Sequence, residues 1–533
     1  MERDFNLIDC PWILVRNRTG GITEVGLKEA LLSASSFSGL AGETKPQDFA
    51  VFRLMLAILY TVFSRYDTDG NEIELEDGPS VTLDNWKKIW DAGQLPSAPI
   101  ERYFAEWHDR FWLFDDDYPF YQTNAVKDKK ECATAKMIGT LFESNNKARL
   151  FSDRYGNGRN LTFAEAARWL LHLNQFDDIA AKNPTPKPTW GGKLSFIALI
   201  GNNLFQTLML NFRADYDANR DVQEKPAWET DRRNVTFNQK IVVPDNQAAL
   251  LTLQSRNLYL CAENGRVTAY KMAGGDWFEE DAVFDEQMTM WSGYQDKNAA
   301  VPVFRPKLYD RSKLIWQEFA SISALAEEAK DAEHFVRPAG VIEWLHELLK
   351  LRFLSDDHTV RICTAALIYA RKAIDKHAVD SVSDSVSFHA KLLEEIGAGW
   401  RSRIIEEIGK CEKAAGYVYL LYKNLQKACG RRDKDAKESQ SGEQDAKREY
   451  YARIDRHFRI WLAELNPDGD LDTYCEKLEA ELRRIAISYG RELASQIGSN
   501  AVFCGGEMST PRALEMFEGA VRKLFPIAKA EQV

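Results

Sequence analysis

The sequence predicts an α+β chain, with a large mixed N-terminal domain (residues 1–384) followed by a C-terminal four-helix bundle (residues 385–533). Three observations carry this. Ahead of residue 385, short apolar runs at strand spacing alternate with amphipathic helical stretches. Beyond it no strand pattern remains, and four long segments recur with helical periodicity. Finally, 533 residues exceed what one core holds, and 45% hydrophobic with 28% charged residues excludes overall disorder.

Residues 6–15 are rich in Ile, Leu, Trp and Val and read as a strand, and Gly20-Gly21 marks a hairpin turn. Residues 27–34 form a short helix. Residues 45–66 form a long buried one, opened by Pro46 in its first turn. Its apolar run, 49–63, is broken by Arg53 and is short of the roughly 20 residues a membrane span needs. Thr82 caps a helix through Trp90, and residues 101–111 are amphipathic and aromatic. Asp115-Asp116-Asp117 reads as a solvated turn, since adjacent carboxylates converge poorly on one ion. Thr162-x-x-Glu165 is a capping box opening a helix to Leu173. Short apolar runs over 240–270, including Leu250-Leu251-Thr252-Leu253, predict a small antiparallel sheet. Helices are expected at 314–329 and 339–351.

In the bundle, residues 388–429 are helical in period, and 430–446 are charged enough to read as an exposed connection. Residues 448–465, 471–497 and 511–524 supply three more helices. Asn466-Pro467-Asp468-Gly469 is a stop, and Ser509-Thr510-Pro511 is a start.

The most informative stretch runs from Ala180 to Phe212. A Pro/Lys/Gly-rich loop precedes a buried strand at Phe196, Ile197, Leu199 and Ile200. Gly201-Asn202-Asn203 breaks it, and Leu204, Phe205, Leu208, Met209 and Phe212 follow at helical spacing. A basic loop on a rigid apolar strand–turn–helix is how a recognition loop is held, and also what a plain surface loop beside a core element looks like.

Catalytic patterns are scarce. The sequence has no Walker A loop, H-E-x-x-H or G-x-S-x-G, and its eight cysteines form no C-x-x-C pair. No metal or cofactor is expected. Helical His172 and His346 read as structural. Ser144-x-x-Lys147 matches a serine acyl-transferase spacing but has no partner motif. Its surroundings, ESNNKARLFSDRYGNGRN, mix Lys147, Arg149, Arg154 and Arg159 with Asn, Gly and aromatic residues, which suits phosphate contact as well as a solvated loop. The net charge of −11 is unlike that of a free-standing DNA-binding protein. An acidic chain that touches DNA does so through local basic loops, or within a complex that supplies the rest.

The segment Gly191-Gly192, Gly201, Leu204, Thr207-Leu208, Leu210-Asn211 resembles the GG…G-x-x-L…T-L-L-N segment of the CasA family, the large subunit of the type I-E CRISPR Cascade complex. FNLIDCPWILV, RLMLAILY, DYPFYQ and ESNNKARLF extend the likeness in the same order over most of the chain. The resemblance implies a non-catalytic subunit that recognises the protospacer-adjacent motif in double-stranded DNA, starts strand separation and supports recruitment of a helicase-nuclease. Implied partners are target DNA, the 5′ region of the guide RNA and the Cascade backbone and small subunits. The implied setting is the prokaryotic cytoplasm, with no membrane.

It also implies site residues. Asn145, Asn146, Lys147, Arg149, Leu150 and Phe151, with Ser152, fall in a loop near the guide and the incoming DNA. A glycine loop maps onto 182–192, with Lys182, Asn183, Lys187, Gly191 and Gly192. Asn183-Pro184-Thr185-Pro186-Lys187-Pro188 replaces most of its glycines, and each proline lacks an N–H, so minor-groove donors must come from elsewhere, such as Lys182, Asn183 or Lys187. A lysine finger maps onto Gln254-Ser255-Arg256, where an arginine either enters a narrow minor groove or ends a hairpin. A glutamine wedge maps onto Asp375, Lys376 and His377, with no glutamine present and a repulsive Asp375. Two other classes stay open: a protein-only scaffold, and a stand-alone enzyme at Asp115–Asp117 or Ser144/Lys147.

Overall fold

The computed structural model describes residues 3–73, 79–138, 160–177, 189–192, 194, 196–214, 223–279, 283–295, 302–310, 312–323, 335–355, 357–369, 378–430, 436–497 and 508–526. Packing divides the chain into two units. The first takes Met1–Asp310, Ala324–Phe353 and Arg361–Ser385. The second takes Arg311–Ser323, Leu354–Val360 and Val386–Val533.

The first unit is built on the helix Lys45–Phe63. Thr44 accepts a hydrogen bond from the Gln47 amide at its N-terminus, Pro46 sits in its first turn, and every residue after Lys45 is buried. By length and composition this helix meets the test for a membrane span, but its apolar window lies wholly inside the unit. Helices Ser97–Trp107, Phe163–Phe176, Leu204–Asn211 and Gln247–Leu251 pack on it. The Thr162/Glu165 capping box forms as the sequence predicts.

Small sheets surround these helices. Strand Ile13–Asn17 lies between Ile22–Val25 and Phe37–Leu40. Strands Arg256–Glu263 and Arg266–Gly274 form a hairpin that Cys132–Ala133 extends. Strand Thr359–Tyr369 lies between Ala378–His389 and Phe196–Leu199, with Ile362 opposite Leu199 and Ala365 opposite Phe196.

Several expectations change. Residues 6–15 are not one strand: Asp4–Asn6 and Ile13–Asn17 are separate. Asn6 folds the chain between them, its side chain and carbonyl accepting from the amides of Ile8 and Cys10. Leu250-Leu251 belongs to a short helix rather than a strand. Asn246 caps it, and the Glu224 carboxylate accepts from the amides of Gln247 and Ala248. A short apolar run alone does not separate these outcomes. Asp115 does organise a turn, its Oδ1 accepting from the amides of Asp117 and Tyr118, and it is buried beside Arg3.

A buried polar chain crosses the core of this unit. Arg53 and Glu286, each 1% exposed, form an ion pair. Arg53 also donates to the Leu250 carbonyl at 3.3 Å, and its guanidinium lies 4.5 Å from the centre of the Phe196 ring. Glu286 accepts from the Thr289 hydroxyl, whose oxygen accepts from Trp190 Nε1 at 3.0 Å. Beside it, the Tyr60 hydroxyl donates to Gln287 Oε1 at 2.6 Å and accepts from the Arg213 amide at 2.8 Å. Gln287 Nε2 donates to the Asn211 carbonyl at 3.1 Å.

The second unit is an antiparallel arrangement of helices Ala398–Ala428, Ala436–Glu464, Leu471–Ser495 and Thr510–Leu524. Their inward residues include Cys411, Val418, Leu425, Ile454, Phe458, Leu482, Tyr489, Phe517 and Val521. Ser509 and Asp470 cap the last two helices. The connection expected over 430–446 is helical from Ala436 onward. Glu443 and Ala446 are buried, so packing overrides the polar composition. Trp316, from Arg311–Ser323, stacks on Phe458 at 4.1 Å and donates to Asp455 at 2.8 Å. Arg403 and Lys410 bridge buried Glu407 to Glu479, joining two helices by charge.

Breaking the Arg53–Glu286 pair strands a buried charge. Arg53→Met or Glu286→Gln is expected to cost about 3–5 kcal/mol in urea unfolding followed on the first unit. A midpoint unchanged by either variant would contradict a structural role for the pair. Burial of Glu224 raises its pKa from 4.5 to about 7. A raised carboxyl pKa means the folded state holds an extra proton, so this stabilisation is complete below about 4.5 and lost as pH rises through about 7. Glu224→Gln is expected to flatten the stability–pH curve across that window. An equally steep curve in the variant would assign the slope to other groups.

Candidate nucleic-acid interface

Within the segment singled out by its sequence, residues 196–212 form a scaffold in which Asn203, Thr207 and Asn211 each make defined bonds. Gly201 leaves no room for a side chain: a Cβ there would lie 2.3 Å from the Gln206 Cβ. Asn203 caps helix Leu204–Asn211 by accepting from the Gln206 amide at 2.8 Å. The Thr207 hydroxyl accepts from the Gly201 amide at 3.0 Å and donates to the Asn203 carbonyl at 2.9 Å. Asn211 reaches back to the strand, with Oδ1 accepting from the Leu199 amide at 3.0 Å and Nδ2 donating to the Leu199 carbonyl at 2.7 Å. The strand, turn and helix are thereby locked into one rigid piece.

The loop ahead of this piece is rooted at two points. Asp177 closes helix Phe163–Phe176, and the Thr189 amide donates to its carbonyl at 3.3 Å. Gly191 and Gly192 are buried in a single turn with Trp190. A Cβ on Gly191 would lie 2.6 Å from the Phe196 ring and 2.7 Å from the Gln175 carbonyl, so only glycine fits that close approach. Trp190 packs 5.1 Å from Phe278 and 6.4 Å from Trp291. The two glycines therefore act at the root of the loop, against the core.

The assignment at 254–256 is corrected by the structure. Gln254, Ser255 and Arg256 are buried, and Arg256 opens strand Arg256–Glu263 instead of lying at a turn. The hairpin turn is at Asn264-Gly265, both at positive φ. Arg256 is 1% exposed, and its Nε donates to Asp177 Oδ2 at 2.8 Å and its Nη2 to the Asp177 carbonyl at 2.7 Å. A guanidinium so held does not reach a groove. It ties the start of the hairpin to the root of the loop. Asn174 and Gln175 reinforce that tie, accepting from the Arg256 amide and donating to the Leu251 carbonyl.

The same hairpin roots a second stretch. Cys132 pairs with Tyr270, Met137 and Ile138 are buried, and Leu161 exchanges backbone hydrogen bonds with Val267. Asn145, Asn146, Lys147, Arg149, Leu150, Phe151 and Ser152 lie between these anchors, outside the described residues. So do Lys182, Asn183 and Lys187, between Asp177 and Thr189. Asp375, Lys376 and His377 also lie outside them, between the neighbouring strands Thr359–Tyr369 and Ala378–His389. The structure thus joins Gly191, Arg256 and the missed residue Asp177 at one root. No local pattern announces Asp177, because its partner is 79 residues away.

If Arg256 holds the loop root, Arg256→Met and Asp177→Leu should each lower the unfolding midpoint of the first unit, by about 3–5 kcal/mol. The double variant should recover part of the loss, as buried pairs do when both partners go. An Arg256→Met protein with unchanged unfolding but weakened DNA binding would instead make Arg256 a direct contact.

A profile of the family described as CRISPR-associated protein Cse1 matches residues 6–489. The CasA/Cse1 protein of Thermus thermophilus is 32% identical over 235 residues, which span 42% of this chain and 42% of that relative. Thermobifida fusca Cse1 superposes with a TM-score of 0.80 at 26% identity, over 98% of this chain and 99% of the other. A chain of a CRISPR RNA-guided surveillance complex shares the fold, with a TM-score of 0.70 at 16% identity over 98% and 99%. With the profile spanning both units and the strand–turn–helix motif in place, this chain belongs to the Cse1 (CasA) family of CRISPR-associated proteins.

Proposed function

We propose that this chain is the non-catalytic large subunit of a type I-E RNA-guided surveillance complex. It reads the protospacer-adjacent motif of double-stranded DNA and begins strand separation. The observation that carries the reading is the common root of two basic stretches. Residues 139–159 and 178–188, with Lys147, Arg149, Lys182 and Lys187, are both flanked in the chain by positions tied to hairpin Arg256–Glu263/Arg266–Gly274. Family membership supports it, as does the occurrence of a chain of this fold in an RNA-guided surveillance complex.

The physics is consistent. The minor groove offers a degenerate pattern, so a reader there tolerates several motif sequences. Lys182, Asn183 and Lys187 supply donors where the prolines supply none. Lys376 or His377 takes the wedge position, unpairing the first base step at a cost that guide pairing offsets. Phosphate attraction beyond these lysines comes from the complex, since the chain itself is acidic. The guide RNA 5′ region, the backbone and small subunits, and a recruited helicase-nuclease that performs cleavage are the partners of this reading. It places the chain in the prokaryotic cytoplasm.

The test is target-duplex binding by a guide-loaded complex with and without this chain, using a randomised flanking motif. Motif-dependent binding should appear only with the chain. Lys182→Ala and Lys187→Ala should each weaken it and shallow the salt slope by about one. If the chain changes neither affinity nor motif preference, it is a protein-only scaffold.

A further inference from the structure

The turn at residues 190–192 hangs on one side-chain bond. Trp190 Nε1 donates to the Thr289 hydroxyl oxygen at 3.0 Å. Among the described residues it is the one side-chain hydrogen bond made by residues 189–192. The Gly192 amide bonds within the turn, to the Thr189 carbonyl at 3.0 Å, and the Thr189 amide reaches the Asp177 carbonyl at 3.3 Å. Thr289, in contrast, is fixed twice. Its backbone pairs with Phe196, and next to it the Ile197 amide donates to the Met288 carbonyl at 2.9 Å. Its hydroxyl donates to one oxygen of Glu286, whose other oxygen holds Arg53. A hydroxyl that donates to a carboxylate is the better acceptor for an indole N–H. Trp190 is also half-buried against Phe278 and Trp291. That apolar contact is non-directional, whereas the hydrogen bond is directional and fixes how the indole, and so the turn, is rotated.

We propose that Trp190 and Thr289 are positioning residues for motif discrimination. The inference rests on the reading of residues 178–188, which end at this turn, as the motif reader. Two kinds of contact respond differently to a loosened turn. Attraction between lysines and phosphates falls slowly with distance and tolerates displacement. Hydrogen bonds to base edges weaken steeply when distance or angle drifts. Breaking the Trp190–Thr289 bond therefore lowers discrimination between motifs and spares the sequence-independent attraction. The buried pair Arg53–Glu286 then acts on reading through Thr289, as the fixed end of the bond chain.

The experiment uses the guide-loaded complex reconstituted with the full chain, and measures affinity for a duplex with the preferred motif against one with a scrambled motif, across salt. Trp190→Phe keeps an aromatic ring without the N–H, and Thr289→Val keeps the shape without the acceptor. Each should lower the ratio of the two affinities about tenfold, with the scrambled-duplex affinity and the salt slope unchanged. Thr289→Ser should keep the ratio. The double variant Trp190→Phe/Thr289→Val should be no worse than the poorer single one, because both remove the same bond. Trp190→Phe leaves Glu286 and Thr289 bonded, so it remains informative if Thr289→Val unfolds. An unchanged ratio in Trp190→Phe would overturn the proposal, and so would a Thr289→Ser protein as impaired as Thr289→Val. A fall of both affinities together would make the bond a matter of stability alone. A wild-type complex with no motif preference removes the reading of 178–188 and this inference with it. A wild-type complex that discriminates beside variants that discriminate equally removes the inference and leaves that reading standing.

Discussion

The first unit depends on one buried charge pair. Arg53 sits mid-helix in the most apolar segment of the chain, where an isolated guanidinium would be prohibitive. Glu286 neutralises it from a segment 233 residues away, and Thr289 and Trp190 continue the chain of bonds to the turn that carries Gly191. The pair fixes the angle at which residues 283–291 meet the central helix. Those residues in turn set the position of Phe196 and the loop root. Removing one partner leaves a charge in the core, so the arrangement tolerates little drift.

A second charged tie, Arg256 to Asp177, does the same at the surface end of the core. The strand–turn–helix is locked separately, by Thr207 and Asn211. The whole is a stiff base at the chain positions that flank two basic stretches of the sequence. Stiffness matters for a reader of DNA, because contacts to base edges gain discrimination only when the donors are held in place. Spending buried polar groups on the base is consistent with such a role.

Much of this was legible in the sequence. The capping box at Thr162, the buried helix with its proline start, the break at Gly201 and the last two C-terminal helices were all local patterns, and they appear where they were expected, whereas the first two bundle helices start about ten residues from their expected positions. Four readings moved. Residues 6–15 became a turn between two strands because the Asn6 side chain and carbonyl accept from the amides of Ile8 and Cys10. Leu250-Leu251 became helix because Asn246 and Glu224 satisfy its first amides. Residues 436–446 became helix because a neighbouring helix buries Glu443 and Ala446. Arg256 turned inward because Asp177 offers it a carboxylate and a carbonyl at once. In each case the deciding partner is distant in sequence, or is a side chain whose reach a local pattern does not encode.

The amino-acid sequence by itself determined the class of the chain, the run of long helices towards its C-terminal side, its family and the glycine, threonine and asparagine positions of its scaffold. These follow from periodicity, capping and turn chemistry, which act over a few residues. Only the tertiary structure decided which charges are buried and which remain available. It made Arg53 and Arg256 internal ties, held by Glu286 and Asp177. The physical reason is that an arginine's role is set by the partner that reaches it, and burial makes that pairing obligatory.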